Sequence, residues 1–299
     1  MLNKFAAIFC ISLALAITGF AATDEIVVAC YNVENYVQME RHEDGKSVVA
    51  PKPDKEIQPL IQIIKEINPD ILGVCEMGRK EDFADFKNRL KQAGLGYTDF
   101  EYIEGADPER HLALVSRFPI VSRQSMPDVP FTAEGKLEKV RRGFLDVTVE
   151  IRPGFQLRLV GAHLKSKLQV PDNEDLIRRN EAHLLRQHVD KILAADPVPK
   201  LLVYGDFNDT KNTPAIQEIM GPSKAPDHLF DLWLKDSVGD HWTEYWKYAD
   251  VYDRIDYIFV NASLLYRVDH SKSSIYRSPL WNEASDHRPV VATIRTDGK

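Results

Sequence analysis

Short apolar runs that end in turn residues recur along the chain. Residues 26–32, 70–76, 111–117, 144–151, 156–164, 201–205, 255–260 and 289–294 read as strands. In residues 144–151 the apolar positions alternate, with Leu145, Val147, Val149 and Ile151 on one face. Residues 26–30 and 201–203 are apolar without alternation, so those strands are expected to be covered on both faces. Helical spacing appears at Ile57, Leu60, Ile61, Ile64 and Ile67 before Asn68-Pro69, and at Phe83, Phe86 and Leu90 with Gly94 as the stop. It returns at Ile177, Leu184, Leu185, Val189, Ile192 and Leu193. Strands and helices interleave without repeat, low-complexity tract or separating linker. The pattern predicts one α/β domain over residues 23–299, with helices outside central sheets.

Residues 1–22 stand apart. Lys4 is their only charge, residues 5–18 are apolar, and Gly19-Phe20-Ala21 offers small residues around a cleavage point. This reads as a secretory signal peptide, and no later run reaches spanning length. The expectation is an exported protein, periplasmic or extracellular, with no stable membrane insertion, acting as a monomer. A chain of 299 residues with 44% hydrophobic and 28% charged residues fits a globular protein and excludes disorder. Without the leader the formal net charge moves from -7 to about -8, so nucleic acid or anionic membrane gains no general attraction. Cys30 lies two residues before Asn32 and Cys75 one before Glu76. If Asn32 and Glu76 face one site, the two thiols point apart and stay unbonded.

Several strands end in polar residues. Residues 201–205 run into Asp206-Phe207-Asn208-Asp209, residues 156–162 into His163, residues 70–75 into Glu76, and residues 26–31 into Asn32. Asp256 interrupts an apolar strand, and Asp286-His287 precedes the last one. Extended backbone would put Asp206 and Asn208 on one face and Asp209 out of phase, as a turn or cap residue. Open α/β sheets bind ligands at strand ends. Each residue alone is also an ordinary turn group, but a buried Asp256 without a partner is costly. If Glu76, Asp206, Asp256 and Asp286 converge, like pairs about 5 Å apart repel by roughly 3 kcal/mol each at an effective dielectric near 20. Protonation, histidinium partners or a divalent cation must relieve this, and an all-oxygen set favours Mg²⁺, Mn²⁺ or Ca²⁺ over zinc. Carboxylates, amides, histidines and a hard metal suit attack of water on a phosphate ester.

The ordered series Tyr31-Asn-Val-Glu-Asn35, Gly73-Val-Cys-Glu-Met77, Leu114-Val-Ser-Arg-Phe-Pro-Ile120, Gly161-Ala-His-Leu-Lys-Ser-Lys167, Tyr204-Gly-Asp-Phe-Asn-Asp209, Arg254-Ile-Asp-Tyr-Ile-Phe259 and Ser285-Asp-His-Arg-Pro-Val290 resembles the endonuclease/exonuclease/phosphatase superfamily. The resemblance spans essentially the whole chain after the leader. It implies a four-layer α/β sandwich, two packed mixed β-sheets flanked by helices, with the site at the upper edge. It also implies roles. Glu76 would be the main Mg²⁺ ligand, with Asn32 and Asp286 nearby. Asp206 would orient or deprotonate water, Asn208 would hold a phosphate oxygen, and His287, oriented by Asp256, would stabilise the transition state or act as base. His163 would lie against the phosphate or leaving oxygen.

Tyr31–Tyr36 and His163–Lys167 look most like the bacterial secreted nucleases, which makes nucleic acid the leading substrate. A basic group including Lys136, Lys139, Arg141, Arg142, Lys165, Lys167, Arg178 and Arg179 reads either as phosphate contact, foremost at Arg142 and Lys165, or as solvated charge. Other phosphate esters remain open: a phosphomonoesterase, or a sphingomyelinase-like enzyme using the aromatic segment 241–248 to reach lipid. That segment could equally stack bases or pack onto its own sandwich. A binding module that has lost catalysis is a remote alternative.

Overall fold

The structure, a computed structural model, describes residues 24–43, 45–167, 173–196 and 198–297, so the leader reading lies outside the described residues. The chain opens with β1 (Glu25–Tyr36), the hairpin β2 (Met39–Glu43) and β3 (Lys46–Ala50), α1 (Asp54–Ile67), β4 (Ile71–Met77) and α2 (Lys80–Gln92). Then come β5 (Asp99–Ile103), β6 (His111–Ser116), β7 (Ile120–Arg123), the hairpin β8 (Pro130–Ala133) and β9 (Lys136–Lys139), β10 (Phe144–Arg152) and β11 (Phe155–His163). Next are α3 (Glu174–Ala195), β12 (Leu201–Asp206), α4 (Pro214–Met220), β13 (Phe230–Asp231), and the hairpin β14 (Glu244–Trp246) and β15 (Val251–Asp253). The chain closes with β16 (Asp256–Val260), α5 (Ala262–Leu265), β17 (Ser274–Ile275), α6 (Trp281–Ala284) and β18 (Val290–Arg295).

Two six-stranded mixed sheets form, ordered β17-β18-β1-β4-β6-β5 and β13-β16-β12-β11-β10-β7. Each has one parallel pair at its centre, β1 with β4 and β11 with β12, between antiparallel neighbours. Their inner faces meet in a core that includes Ile26, Val28, Leu114, Leu145, Val147, Leu159, Leu202 and Ile258. On the outer face of the first sheet, Ile57, Leu60, Ile64, Phe83, Phe86 and Leu90 bury the apolar stripes of α1 and α2. Leu185, Val189, Ile192, Ile216 and Ile219 do the same for α3 and α4 on the second. The result is the four-layer α/β sandwich. Central strands are buried on both faces, which is why residues 26–30 and 201–203 read as unbroken apolar runs. No helix among the described residues is long and apolar enough to cross a membrane.

The cysteine phase differs from the expectation. Cys30 and Cys75 are both free and buried, but both face the inter-sheet core instead of pointing apart. The reason is Glu76, which adopts left-handed backbone (φ 62°) at a break in register, so its side chain does not follow the alternation set by the strand.

Candidate active site

The parallel pair of the second sheet brings the first groups together. Cross-strand register sets His163 beside Asp206, and Asp206 beside Asp256. Gly205 makes this possible: at φ 151° it lies so close to β11 that a Cβ there would stand 1.8 Å from the Ala162 carbonyl oxygen. The first sheet supplies Asn32 at β1 and Glu76 at β4. The segment between α6 and β18 supplies Asp286 and His287, held by Ser285, whose hydroxyl donates to the Asn32 carbonyl (2.8 Å) and accepts from the His287 amide (3.0 Å).

Asp206 is the hub. Its carboxylate accepts from Asn32 Nδ2 (3.0 Å) and from the Asn208 amide (2.9 Å), with His163 Nε2 at 3.4 Å and His287 Nε2 at 3.8 Å. Asn208 does not reach the site by strand alternation. Beyond the end of β12 it turns into left-handed backbone (φ 52°), and its side-chain amide donates to the Leu164 carbonyl (2.9 Å). Asp209 caps no helix, since Thr213 precedes α4; it pairs instead with Arg178 (3.1 Å) and Lys167 (3.3 Å). His287 Nδ1 meets Asp256 at 2.8 Å, and the Asp256 amide donates to the Thr243 hydroxyl. Glu76 accepts the Asn35 amide (2.8 Å) and lies 3.9 Å from His163.

The electrostatics follow from this crowding. Burial, and then Asp256, push the Asp206 carboxyl well above its ordinary range, against the pull of His287. Burial also raises Asp286, with Glu76 and Glu244 adding to it and His287 opposing. For His287 burial opposes charge, but Asp256, Asp206 and Asp286 outweigh it and hold the imidazole protonated. His163 goes the other way: burial, Arg142 and His287 hold it neutral, and its buried Nδ1 has no hydrogen-bond partner among the described residues.

Three nearby groups were not singled out from the sequence. Glu34 is raised to about 7 by burial and Asp286, and stands 3.7 Å from the buried Lys52. Glu244 pairs in β-bridge fashion with His287. Arg110 donates to Asn35 Oδ1 (2.8 Å) beside Glu76 and helps keep His163 neutral. Glu34 carried a signal, standing two residues from Asn32. Glu244 and Arg110 carried none, because their partners are distant in sequence. Arg142 and Lys165 are already engaged, Arg142 with Asp107 (3.0 Å) and Lys165 with Glu174 (2.8 Å).

The donor set fits a hard divalent cation. Asp206, Asp256 and His287 offer ligand atoms within 4.8 Å of one another, as do Glu244, Asp286 and His287. Burial is the main cause that raises Glu34 and Asp286, and neighbouring acids add to it, Asp286 and Glu76 at Glu34, and Glu76 and Glu244 at Asp286; a divalent cation would relieve such oxygen-rich crowding.

The fold is shared widely among solved structures. The human Nocturnin catalytic domain, solved with bound sulfate, matches at a TM-score of 0.64 and 19% identity, over 90% of this chain and 93% of that one. Truncated Caenorhabditis elegans TDP2 matches at 0.60 and 17%, over 91% and 98%. ANGEL2, a 2′,3′-cyclic phosphatase, matches at 0.62 and 15%, over 91% and 95%. No curated protein matches the sequence. The family model for the Endonuclease/Exonuclease/phosphatase family aligns with residues 30–287, and the chain belongs to that family, whose enzymes hydrolyse phosphate esters and generally use a divalent metal.

Proposed function

We propose that the protein is an exported, divalent-metal-dependent phosphodiesterase, with nucleic acid as its leading substrate. One observation carries this reading: a buried, hydrogen-bonded acid with a raised proton affinity, Asp206, stands between a neutral histidine and a charged one. A carboxyl shifted toward neutrality is suited to take a proton from attacking water. Asn32 and the Asn208 amide fix its orientation. Asp256 orients the charged His287 ring through Nδ1–H, which leaves Nε2–H to donate to the oxygen on which charge develops. His163, uncharged, contacts the phosphate or leaving oxygen without repelling Arg142. Glu76, Asn32 and Asp286 would hold the metal, with Glu34 beside them; when bound it would polarise the phosphoryl group and stabilise the leaving oxygen. Arg142 and Lys165 would reach phosphate by exchanging their present carboxylate partners, Asp107 and Glu174, for it.

The test is a panel of nucleic acids, phospholipids and phosphorylated small molecules assayed with Mg²⁺, Mn²⁺ or Ca²⁺ and with excess EDTA. Chelator-sensitive cleavage of nucleic acid is expected. Equal rates in EDTA would refute the metal role, and phosphate release confined to monoesters would make the protein a phosphatase.

A further inference from the structure

The β14–β15 hairpin is built onto the catalytic segment. One edge of β14 pairs with β15. On the other side the Tyr245 amide donates to the Asp286 carbonyl (2.9 Å), the Arg288 amide donates to the Thr243 carbonyl (2.7 Å), and Glu244 pairs with His287. These bonds tie the hairpin to the segment that carries Asp286 and His287.

Its two faces differ. Tyr245 stacks on Tyr252 (4.5 Å between centroids) and packs edge-on to Trp281, which in turn meets Trp242. These rings satisfy one another. Glu244 points the opposite way, toward Asp286 and His287. Strand alternation puts Trp246 on the face of Glu244, two residues and about 7 Å farther along. Trp246 is 47% exposed, and no ring or cation among the described residues stacks on it. Tyr248 follows in the turn at 82% exposed, with Lys247 near its ring. An exposed indole with no stacking partner among the described residues thus stands on the strand that carries Glu244 to Asp286 and His287.

We infer that Trp246 is a stacking platform for an unpaired nucleobase flanking the scissile phosphate of a single-stranded nucleic acid. The inference rests on the phosphodiesterase reading of the adjoining site. A base lies one sugar away from its phosphate, which matches the short step from Glu244 to Trp246. Stacking serves any base, and exposed rings interleaved with charged residues suit it. A lipid surface is disfavoured, because Glu244, Lys247, Asp250 and Asp253 break up the apolar area of the hairpin.

The test is binding in EDTA, where cleavage is suppressed, of labelled oligo(dT) and of an abasic oligonucleotide of equal length, followed by fluorescence anisotropy. The wild-type protein should prefer oligo(dT) about tenfold. Trp246→Ala should erase the preference and Trp246→Phe should keep most of it, whereas Tyr266→Ala, which removes an exposed tyrosine at the far end of β12, should change nothing. Equal binding of both oligonucleotides by the wild type, or an unchanged preference in Trp246→Ala, overturns the platform. So does a loss confined to binding of phosphatidylcholine vesicles. Failure of the wild type to cleave any phosphodiester with Mg²⁺ would instead strike the activity, independently of the binding comparison.

Discussion

Asp146 and Asp206 lie in the same sheet, each only 1% exposed, yet their proton affinities shift in opposite directions. Burial raises both. At Asp146 it is outweighed by His188 (2.7 Å) and by Arg158, whose Nε donates at 2.9 Å, and the carboxyl ends below its ordinary range. At Asp206 the next largest influence is another acid, Asp256, and the carboxyl ends well above it. The fold supplies a strong cation where an acid is structural. At the end of central strand β12 it gathers acids and histidines, and no arginine or lysine among the described residues pairs with Asp206. That contrast separates a site from a salt bridge more sharply than burial does.

The largest consequence concerns rate. Asp206→Asn and His287→Ala should each lower turnover of bis-p-nitrophenyl phosphate by about 10²- to 10⁴-fold, while Asp146→Asn should leave it within twofold. Steady-state assays of the three variants would break the comparison if Asp146→Asn were the damaging one. The second consequence concerns stability. Asp146→Asn removes the charged partner of Arg158 and should cost about 1–3 kcal/mol, a fall in Tm of roughly 2–4 °C for each kcal/mol. A calorimetric melt of that variant overlapping the wild type would show that the ion pair is not structural.

Much of this was legible in the sequence. Apolar runs and helical spacings located the central strands and the helices α1, α2 and α3; polar strand ends pointed to Asn32, Glu76, His163 and Asp206, an acid within an apolar strand to Asp256, and the polar pair before the last strand to Asp286-His287. The three small hairpins and β5 were not, because their short, partly exposed segments carry little periodicity. Neither glycine nor proline marks the left-handed backbone of Glu76 and Asn208, so strand alternation alone gives their side chains the wrong phase. Arg142 illustrates a different obstacle. A basic residue near the site can be read as a phosphate contact, whereas its pairing with Asp107 depends on a loop that only the tertiary fold brings near.

The smallest effect tests the contrast most directly. A raised native proton affinity means that folded protein binds a proton at Asp206 where unfolded chain, with an aspartate pKa of about 3.9, does not. Wild-type stability contributed by that residue therefore declines as pH rises from about 4 through the higher native value, whereas the contribution of Asp146 is present above about pH 4 and is lost on acidification. The measurement is the unfolding free energy of wild type and Asp206→Asn in EDTA between about pH 4 and pH 8. The variant should gain on the wild type as pH rises; a variant that loses ground over that range would show that Asp206 is a paired structural acid after all.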